Sequence, residues 1–363
     1  MVSGAQYRFR YRARNFNGWG PLSDISYILA ATYPSPPDAP YFISSTSETV
    51  TFGFTPPLDA GGSAITSFQL WYDELNEVAD FELIDQTTIF TSTVGVADGL
   101  TTGTNYRFVV KAVNQFGPSE PSGEIVVAIG RVPQTPDPVR KVESLSSLTT
   151  IVVEWDEVPA IDTITTTGYL LYIDDGRNGD FHLIYDGTGN FYKLSFAATG
   201  LETGLPYRFY VRALNINGGS ELSDFTTIFA CVRPSENGKP FKIDTTKTTI
   251  TLGWNEPVSE GCPLTSFSIF RDNGVASVQE AIDIEVDPVI VNDKPSLREY
   301  VVTGLTQTGN IYRFFVRANN AAGASDSSIV KITLSSIPDT PSDGPTSFAS
   351  ETNENRISVL FGP

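Results

Sequence analysis

One strand recurs four times in this 363-residue chain, and its spacing limits the fold more than any other feature. It reads Tyr7-Arg8-Phe9-Arg10-Tyr11-Arg12-Ala13, Tyr106-Arg107-Phe108-Val109-Val110-Lys111-Ala112, Tyr207-Arg208-Phe209-Tyr210-Val211-Arg212-Ala213 and Tyr312-Arg313-Phe314-Phe315-Val316-Arg317-Ala318. The tyrosines lie 99, 101 and 105 residues apart. A period of that length is one small all-β domain, repeated. A second strand precedes each later copy, at 49–54, 151–155 and 250–254, and recurs at 357–361. Its polar and apolar positions alternate as in a half-buried strand, and it ends on an aromatic residue: Phe54, Trp155, Trp254 or Phe361. No stretch keeps a helical period.

Proline-rich segments at 34–37, 133–138, 234–240 and 338–345 separate the units. Proline stiffens a linker and guards edge strands, so the arrangement predicts a rod rather than a cluster of domains. The units are 38–131, 137–233 and 239–335, with partial ones at 1–33 (last strands only) and 341–363 (first strands only). The chain therefore reads as an excerpt from a longer array.

The net charge of −18 argues against nucleic acid as a partner, because an acidic surface repels phosphates. No apolar run reaches the length of a membrane span, so direct insertion of this segment is not expected. Catalysis needs a base near neutrality and a nucleophile within its reach. The single histidine, His182, follows Asp180 by two residues on a predicted strand and has no nucleophile in its pattern. The sequence 174–180 looks superficially like a calcium loop, but Gly176 stands at the third position and Tyr185 at the twelfth. It reads instead as an acidic hairpin turn, as does Asp272-Asn273-Gly274. The first repeat has Asp73-Glu74 there, without glycine, and a looser turn is expected. The chain reads as non-enzymatic, with no catalytic residue, metal or cofactor.

The tryptophan on the early strand, Leu-x-x-Gly-x-x-Tyr before the tyrosine strand, Tyr-x-Phe-x-Val-x-Ala-x-Asn along it and the glycine after it resemble fibronectin type III modules. The resemblance covers nearly the whole chain. It implies an all-β protein of tandem immunoglobulin-like (fibronectin type III) seven-stranded β-sandwiches in an extended rod. On that fold Phe54, Trp155 and Trp254 fill the cores, and Tyr106, Tyr207 and Tyr312 are corner tyrosines with the hydroxyl bonded to nearby backbone. The tyrosine strand lies against the strand ending at Asp73, Asp174 or Asp272. That placement implies cross-strand pairs of Asp73 with Arg107, Asp174 with Arg208 and Asp272 with Arg313, each worth a few tenths of a kcal/mol as outward-facing pairs (about 0.2–1 kcal/mol). Asn114, Asn215 and Asn319 open the loop that follows.

Two departures stand out. Leu305 to Tyr312 spans seven positions rather than six, and the third unit carries six extra residues within 280–299. The insert reads as a longer edge loop, with a partner-binding loop as the sharper alternative. Cys231 at the end of the second unit and Cys262 in the loop after Trp254 are implied to meet at a junction, either as a disulfide or as two free buried thiols. The Arg-Gly-Asp tripeptide of adhesive family members is absent. The leading functional reading is a structural or adhesive repeat protein, part of an extracellular or cell-surface fibre that works through other protein chains, including copies of itself. An intracellular cytoskeletal or ciliary scaffold is the alternative. A spacer attached to an enzyme lying outside the chain is a third.

Overall fold

The computed structural model describes residues 1–75, 80–275, 281–288, 294–337, 344–347, 350–351 and 354–360. They fall into two compact units. One comprises Met1–Val142, Val152–Ala198 and Tyr207–Ile228; the other comprises Glu143–Ile151, Thr199–Pro206 and Phe229–Pro363.

Within the first unit, one plan of strands is complete between Tyr41 and Ala128. Tyr41–Ser45, Thr49–Gly53 and Thr91–Gly95 form a three-stranded sheet in that order. The second sheet runs Gly117–Pro118, Asn105–Asn114, Ser67–Asp73, Glu82–Thr87, and Ile125–Ala128 also pairs with the tyrosine strand. All these pairings are antiparallel. Alternation along Asn105–Asn114 decides what is buried. Tyr106, Phe108, Val110 and Ala112 point inward and are at most 1% exposed. They meet Phe52, Phe54, Val94 and Leu100 of the opposite layer, with the Phe52 and Phe108 rings 4.6 Å apart. Burial of these rings is the main stabilising contribution, because each removes a large apolar surface from water.

The same plan recurs. Gly168–Ile173, His182–Asp186, Pro206–Asn215, Gly218–Gly219 and Thr226–Phe229 make the larger sheet; Arg140–Lys141, Thr150–Glu154 and Ser195–Thr199 make the smaller. Trp155 is 2% exposed and packs on Tyr169 with ring centroids 5.9 Å apart. In the second unit, Phe241–Thr245, Ile250–Gly253 and Glu299–Val302 oppose Ile284–Glu285, Leu264–Arg271, Ile311–Asn320, Gly323–Asp326 and Val330–Thr333. Trp254, Phe267, Tyr312, Phe314, Val316 and Leu305 lie in one buried cluster. The indole N–H groups of Trp155 and Trp254 find no acceptor among the described residues, so both tryptophans act as hydrocarbon filler.

The first copy of the tyrosine strand is shorter than the later ones. It is regular only over Gln6–Phe9, paired with Ser26–Leu29, and Arg14–Asn15 forms a short second pairing with Gly18–Trp19. Phe9 is 47% exposed and Tyr11 79% exposed. The reason is physical: no second sheet among the described residues covers this hairpin, so its inward face has nothing to bury against. Phe361, expected as the fourth core aromatic, lies outside the described residues. The third copy's counterpart of Glu82–Thr87 and His182–Asp186 is the short strand Ile284–Glu285; residues 276–280 and 289–293 also lie outside the described residues.

Tyr312 is 2% exposed in the centre of its cluster. Replacing it by alanine should cost about 3–5 kcal/mol through lost transfer energy and an unfilled cavity. A urea titration of the wild-type and Tyr312→Ala chains, followed by tryptophan fluorescence, should show the Trp254-reporting transition shifted to lower denaturant by that amount.

Candidate functional site

No cleft with convergent acid–base chemistry appears among the described residues. A cavity of about 390 Å³ is lined by Glu157, Val158, Ala160, Thr165, Thr166, Thr167, Gly189 and Phe191, with one carboxylate and no base beside it. His182 is exposed at the start of its strand. In the loop 174–180, the Asp175 carboxylate accepts the N–H groups of Arg177 (2.8 Å) and Gly179 (2.9 Å), which hold its pKa below the usual carboxylate range. The chemistry of this chain lies in how the tyrosine strand is fastened, at its start and at its end.

At its start sits a buried ion pair. Register places Arg107 opposite Asp73, and Asp174 and Asp272 follow directly after strands paired in the same way. Arg107 Nη2 lies 2.5 Å from Asp73, Arg208 Nε 2.6 Å from Asp174 and Arg313 Nε 2.6 Å from Asp272. These aspartate side chains are 2%, 0% and 2% exposed. The expectation of weak outward-facing pairs is therefore corrected. The carboxylates turn in under the arginines and also accept backbone N–H groups: Leu75 to Asp73, Gly176 and Arg208 to Asp174, Gly274 and Arg313 to Asp272. Phe181 stacks under the Arg208 guanidinium at 4.8 Å. Sequence alternation indicates facing direction but not depth, and flanking aromatics supply the depth.

Each aspartate thus ends a strand and opens a turn. Gly176 and Gly274 follow two residues later with φ of 73° and 76°. Leu75 holds the same place in the first copy with φ of 58°, a conformation that costs a bulky residue strain. The described part of that turn is therefore the same turn, not a looser one, held by Asp73. The second copy's turn does not close a tight hairpin: after Asp174 the next strand begins at His182.

The corner tyrosines are buried, and two show the expected bond: the Thr101 N–H donates to Tyr106 Oη at 3.0 Å and the Gln307 N–H to Tyr312 Oη at 3.3 Å. The extra residue before Tyr312 leaves the donor five residues upstream in both.

At the strand's end sits an asparagine that holds the preceding linker. Asn114 Nδ2 donates to the carbonyls of Thr32 (2.8 Å) and Ala60 (2.9 Å). Asn215 Nδ2 donates to Arg131 O at 3.0 Å, and Asn320 Nδ2 to Val232 O at 2.8 Å. The sequence reading chose Asn319; that side chain instead donates to Ser266 Oγ, and Asn320 occupies the position eight residues after the tyrosine. Asn217 adds a second hold, exchanging bonds with Ala128 and donating to Gly130 O.

Beside each asparagine, a linker residue meets the loop after the core aromatic. The Thr32 N–H donates to Gly61 O at 2.8 Å. Arg131 grips Asp162 through its N–H and guanidinium, at 2.8–2.9 Å. Cys231 and Cys262 are disulfide-bonded, with Cα atoms 5.8 Å apart. Close approach requires glycine at two of these loops. Gly61 (φ 71°) leaves no room for a Cβ against Thr32 O and Tyr33 O, and a Cβ on Gly261 (φ 84°) would fall 2.8 Å from Cys231 Cβ. Sequence reasoning missed the asparagine clamps. It also missed Ser122, Ser223 and Ser327, whose hydroxyls accept N–H groups of the tyrosine strand. For the asparagines the available signal was a fixed offset of eight residues from each tyrosine; the serines lie 16, 16 and 15 residues after it.

The two layers, their strand order and the recurring corner define a class: tandem all-β sandwich proteins. Residues 35–128 match the family model of the fibronectin type III domain, and the next two copies repeat the strand plan of that matched segment. Myomesin-2 from Homo sapiens is 28% identical over 62% of this chain and 16% of its own length. Fibronectin type-III domain-containing protein 3A from Mus musculus is 25% identical over 94% of this chain and 27% of its own. Neogenin from Homo sapiens is 28% identical over 84% of this chain and 21% of its own. The chain thus spans less than a third of the length of these relatives. The crystal structure of chicken CNTN1 FN1-FN3 domains aligns over 83% of this chain and 99% of that one, with 15% identity and a TM-score of 0.33. No helix among the described residues is long and apolar enough to cross a membrane.

The Arg107 guanidinium holds the Asp73 carboxyl below its usual range. A depressed folded pKa contributes stability that is complete above the unfolded value, near about 3.9, and is lost as pH falls through the folded value. Asp73→Asn should therefore be less stable than wild type at neutral pH, and the difference should shrink as pH drops from about 5 to about 2. Urea midpoints measured across that range check both the sign and the window.

Proposed function

We propose that this chain is a non-catalytic structural segment of an extracellular or cell-surface fibre, acting through contacts with other protein chains, copies of itself included. Its units are 38–131, 137–233 and 239–335, flanked by partial units 1–33 and 341–363, set in an extended rod. The observation that carries this reading is the recurring asparagine clamp: Asn114, Asn215 and Asn320 each tie the end of a tyrosine strand to the last residues of the copy before it, Thr32, Arg131 and Val232. A chain in which the end of each copy is hydrogen-bonded into the next resists bending at the points where a string of free domains would bend. The corner tyrosines, core aromatics and Asp–Arg pairs keep each unit rigid enough for that to matter.

Cys231 and Cys262 support one choice of compartment. A structural disulfide persists where the environment is oxidising, which supports an extracellular setting. Alkylation of the protein from its native source, before any reductant, gives the test. Both cysteines should resist labelling until reduced, and the chain with both replaced by alanine should lose about 3–4 kcal/mol, as closure of a loop of this length implies. Two freely labelled thiols would instead support the intracellular cytoskeletal or ciliary scaffold.

A further inference from the structure

Each linker, followed into the start of the next copy, buries every third residue. Pro34, Pro37 and Pro40 are buried, then Pro133, Pro136 and Val139, then Pro234, Asn237 and Pro240, and the residues between them are exposed or half-buried. That is the period of a polyproline II strand with one edge laid against a surface. For the third linker the surface belongs to the third copy. The Ser235 N–H donates to Val258 O at 2.7 Å, the Val258 N–H donates to Ser235 Oγ at 2.9 Å, and the Ser325 hydroxyl donates to Pro234 O.

One position breaks the pattern. Where the first two linkers bury Pro37 and Pro136, the third buries Asn237, which is 1% exposed. Among the described residues neither Asn237 Nδ2 nor Oδ1 has a hydrogen-bond partner. A buried amide left unpaired loses its water and gains nothing in return, whereas a proline ring has no polar side-chain atom to desolvate. Asparagine also lacks the fixed φ of proline, and Gly238 follows it. The third linker therefore gains more backbone freedom on lifting than the glycine-free segments 34–37 and 133–138. Both effects favour release.

The same linker has the strongest fastening. In front of the first linker stands a backbone hydrogen bond from Thr32, and in front of the second the Arg131–Asp162 ion pair. In front of the third, Cys231 is covalently joined to Cys262. The covalent tie thus serves the linker whose buried face is poorest. Cys231 is 0% and Cys262 2% exposed, so a thiolate reaches the sulfurs only when the chain around them opens.

We propose that the third linker is a redox-conditional latch. The Cys231–Cys262 disulfide keeps 234–240 seated on the third copy with Asn237 buried, and its reduction lets the segment lift while the sandwich stays folded. A dithiol supplies the two electrons. Its thiolate attacks one sulfur, its second thiol displaces the mixed disulfide, and the reductant closes into a cyclic disulfide. Cys231 and Cys262 are left as thiols carrying the reductant's two protons. The latch needs only the disulfide and the buried face of the linker, so it stands apart from the fibre reading.

Residue-resolved amide exchange on the full chain, with and without dithiothreitol, tests this. The variants are Asn237→Pro, Asn237→Ala and the double replacement Cys231→Ala with Cys262→Ala. The Asn237 N–H makes no hydrogen bond among the described residues, so proline removes none. The Ser235 amide should be protected in the oxidised wild type and exchange about tenfold faster or more after reduction, the scale of one unpaired buried amide. Val316 in the sheet and Arg131 before the second linker should keep their protection. The double cysteine variant should exchange fast at Ser235 with no reductant present. Asn237→Pro should hold Ser235 protected after reduction. Asn237→Ala, which removes the amide and asks nothing of the backbone, should regain part of that protection. A Ser235 amide that stays protected in the reduced wild type overturns the latch, as does one that exchanges equally fast in the reduced wild type and both Asn237 variants. Loss of protection at Val316 together with Ser235 on reduction also overturns it, because the disulfide would then hold the whole copy rather than the linker.

Discussion

The two-faced alternation of the tyrosine strand is the constraint from which the rest follows. Ten residues in one extended run put Tyr, Phe, Val and Ala on the inner face and cations on the other. Because the period is two, a slip of one residue would bury arginines and expose rings, so register is fixed by the core itself. The buried aspartate reinforces that register at one end. The Asp174 carboxylate accepts both the Arg208 guanidinium and the Arg208 backbone N–H, so shifting the strand breaks a charge pair and a backbone-to-carboxylate bond together. Leaving either charge alone and buried is costly, and the pair therefore specifies the alignment more than it adds net stability.

The other end of the strand turns a domain into part of an array. Asn114, Asn215 and Asn320 use the side-chain amide to satisfy linker carbonyls, and the same residues accept the N–H two positions later, which shapes the following loop. One residue thus closes the loop and holds the linker. Beside it, three different chemistries occupy equivalent points: a backbone hydrogen bond at Thr32, an ion pair at Arg131 and a disulfide at Cys231. They differ in what weakens them. The ion pair responds to salt and the disulfide to reductant, so the linkers are not equivalent under changing conditions.

Much of this was legible in the sequence where a side chain's role depends on its own strand. The recurring aromatic at 54, 155 and 254 follows from the period, and its core role from the resemblance that the repeated strands carry. What depends on packing by distant neighbours was not legible. Arg208 looks outward by alternation, but Phe181 lies over its guanidinium and the Asp174 beneath is shut off from water. The missing glycine after Asp73 suggested a loose turn, whereas the Asp73 side chain holds Leu75 in a left-handed conformation without it. Two adjacent asparagines in the third copy concealed the clamp. Asn319 lies seven residues after Tyr312, whereas eight residues, the spacing of Asn114 and Asn215, reaches Asn320.

The central claim is that the linkers are hydrogen-bonded parts of the fold rather than free tethers. Amide hydrogen exchange resolved to single residues tests it most directly, at Thr32, Arg131 and Ser235, whose N–H groups donate to Gly61 O, Asp162 Oδ2 and Val258 O. The account predicts protection at all three approaching that of the sheet amides, with Arg131 losing protection when Asp162 is replaced by alanine. Exchange at unfolded-chain rates at these positions, alongside protected sheets, would contradict it.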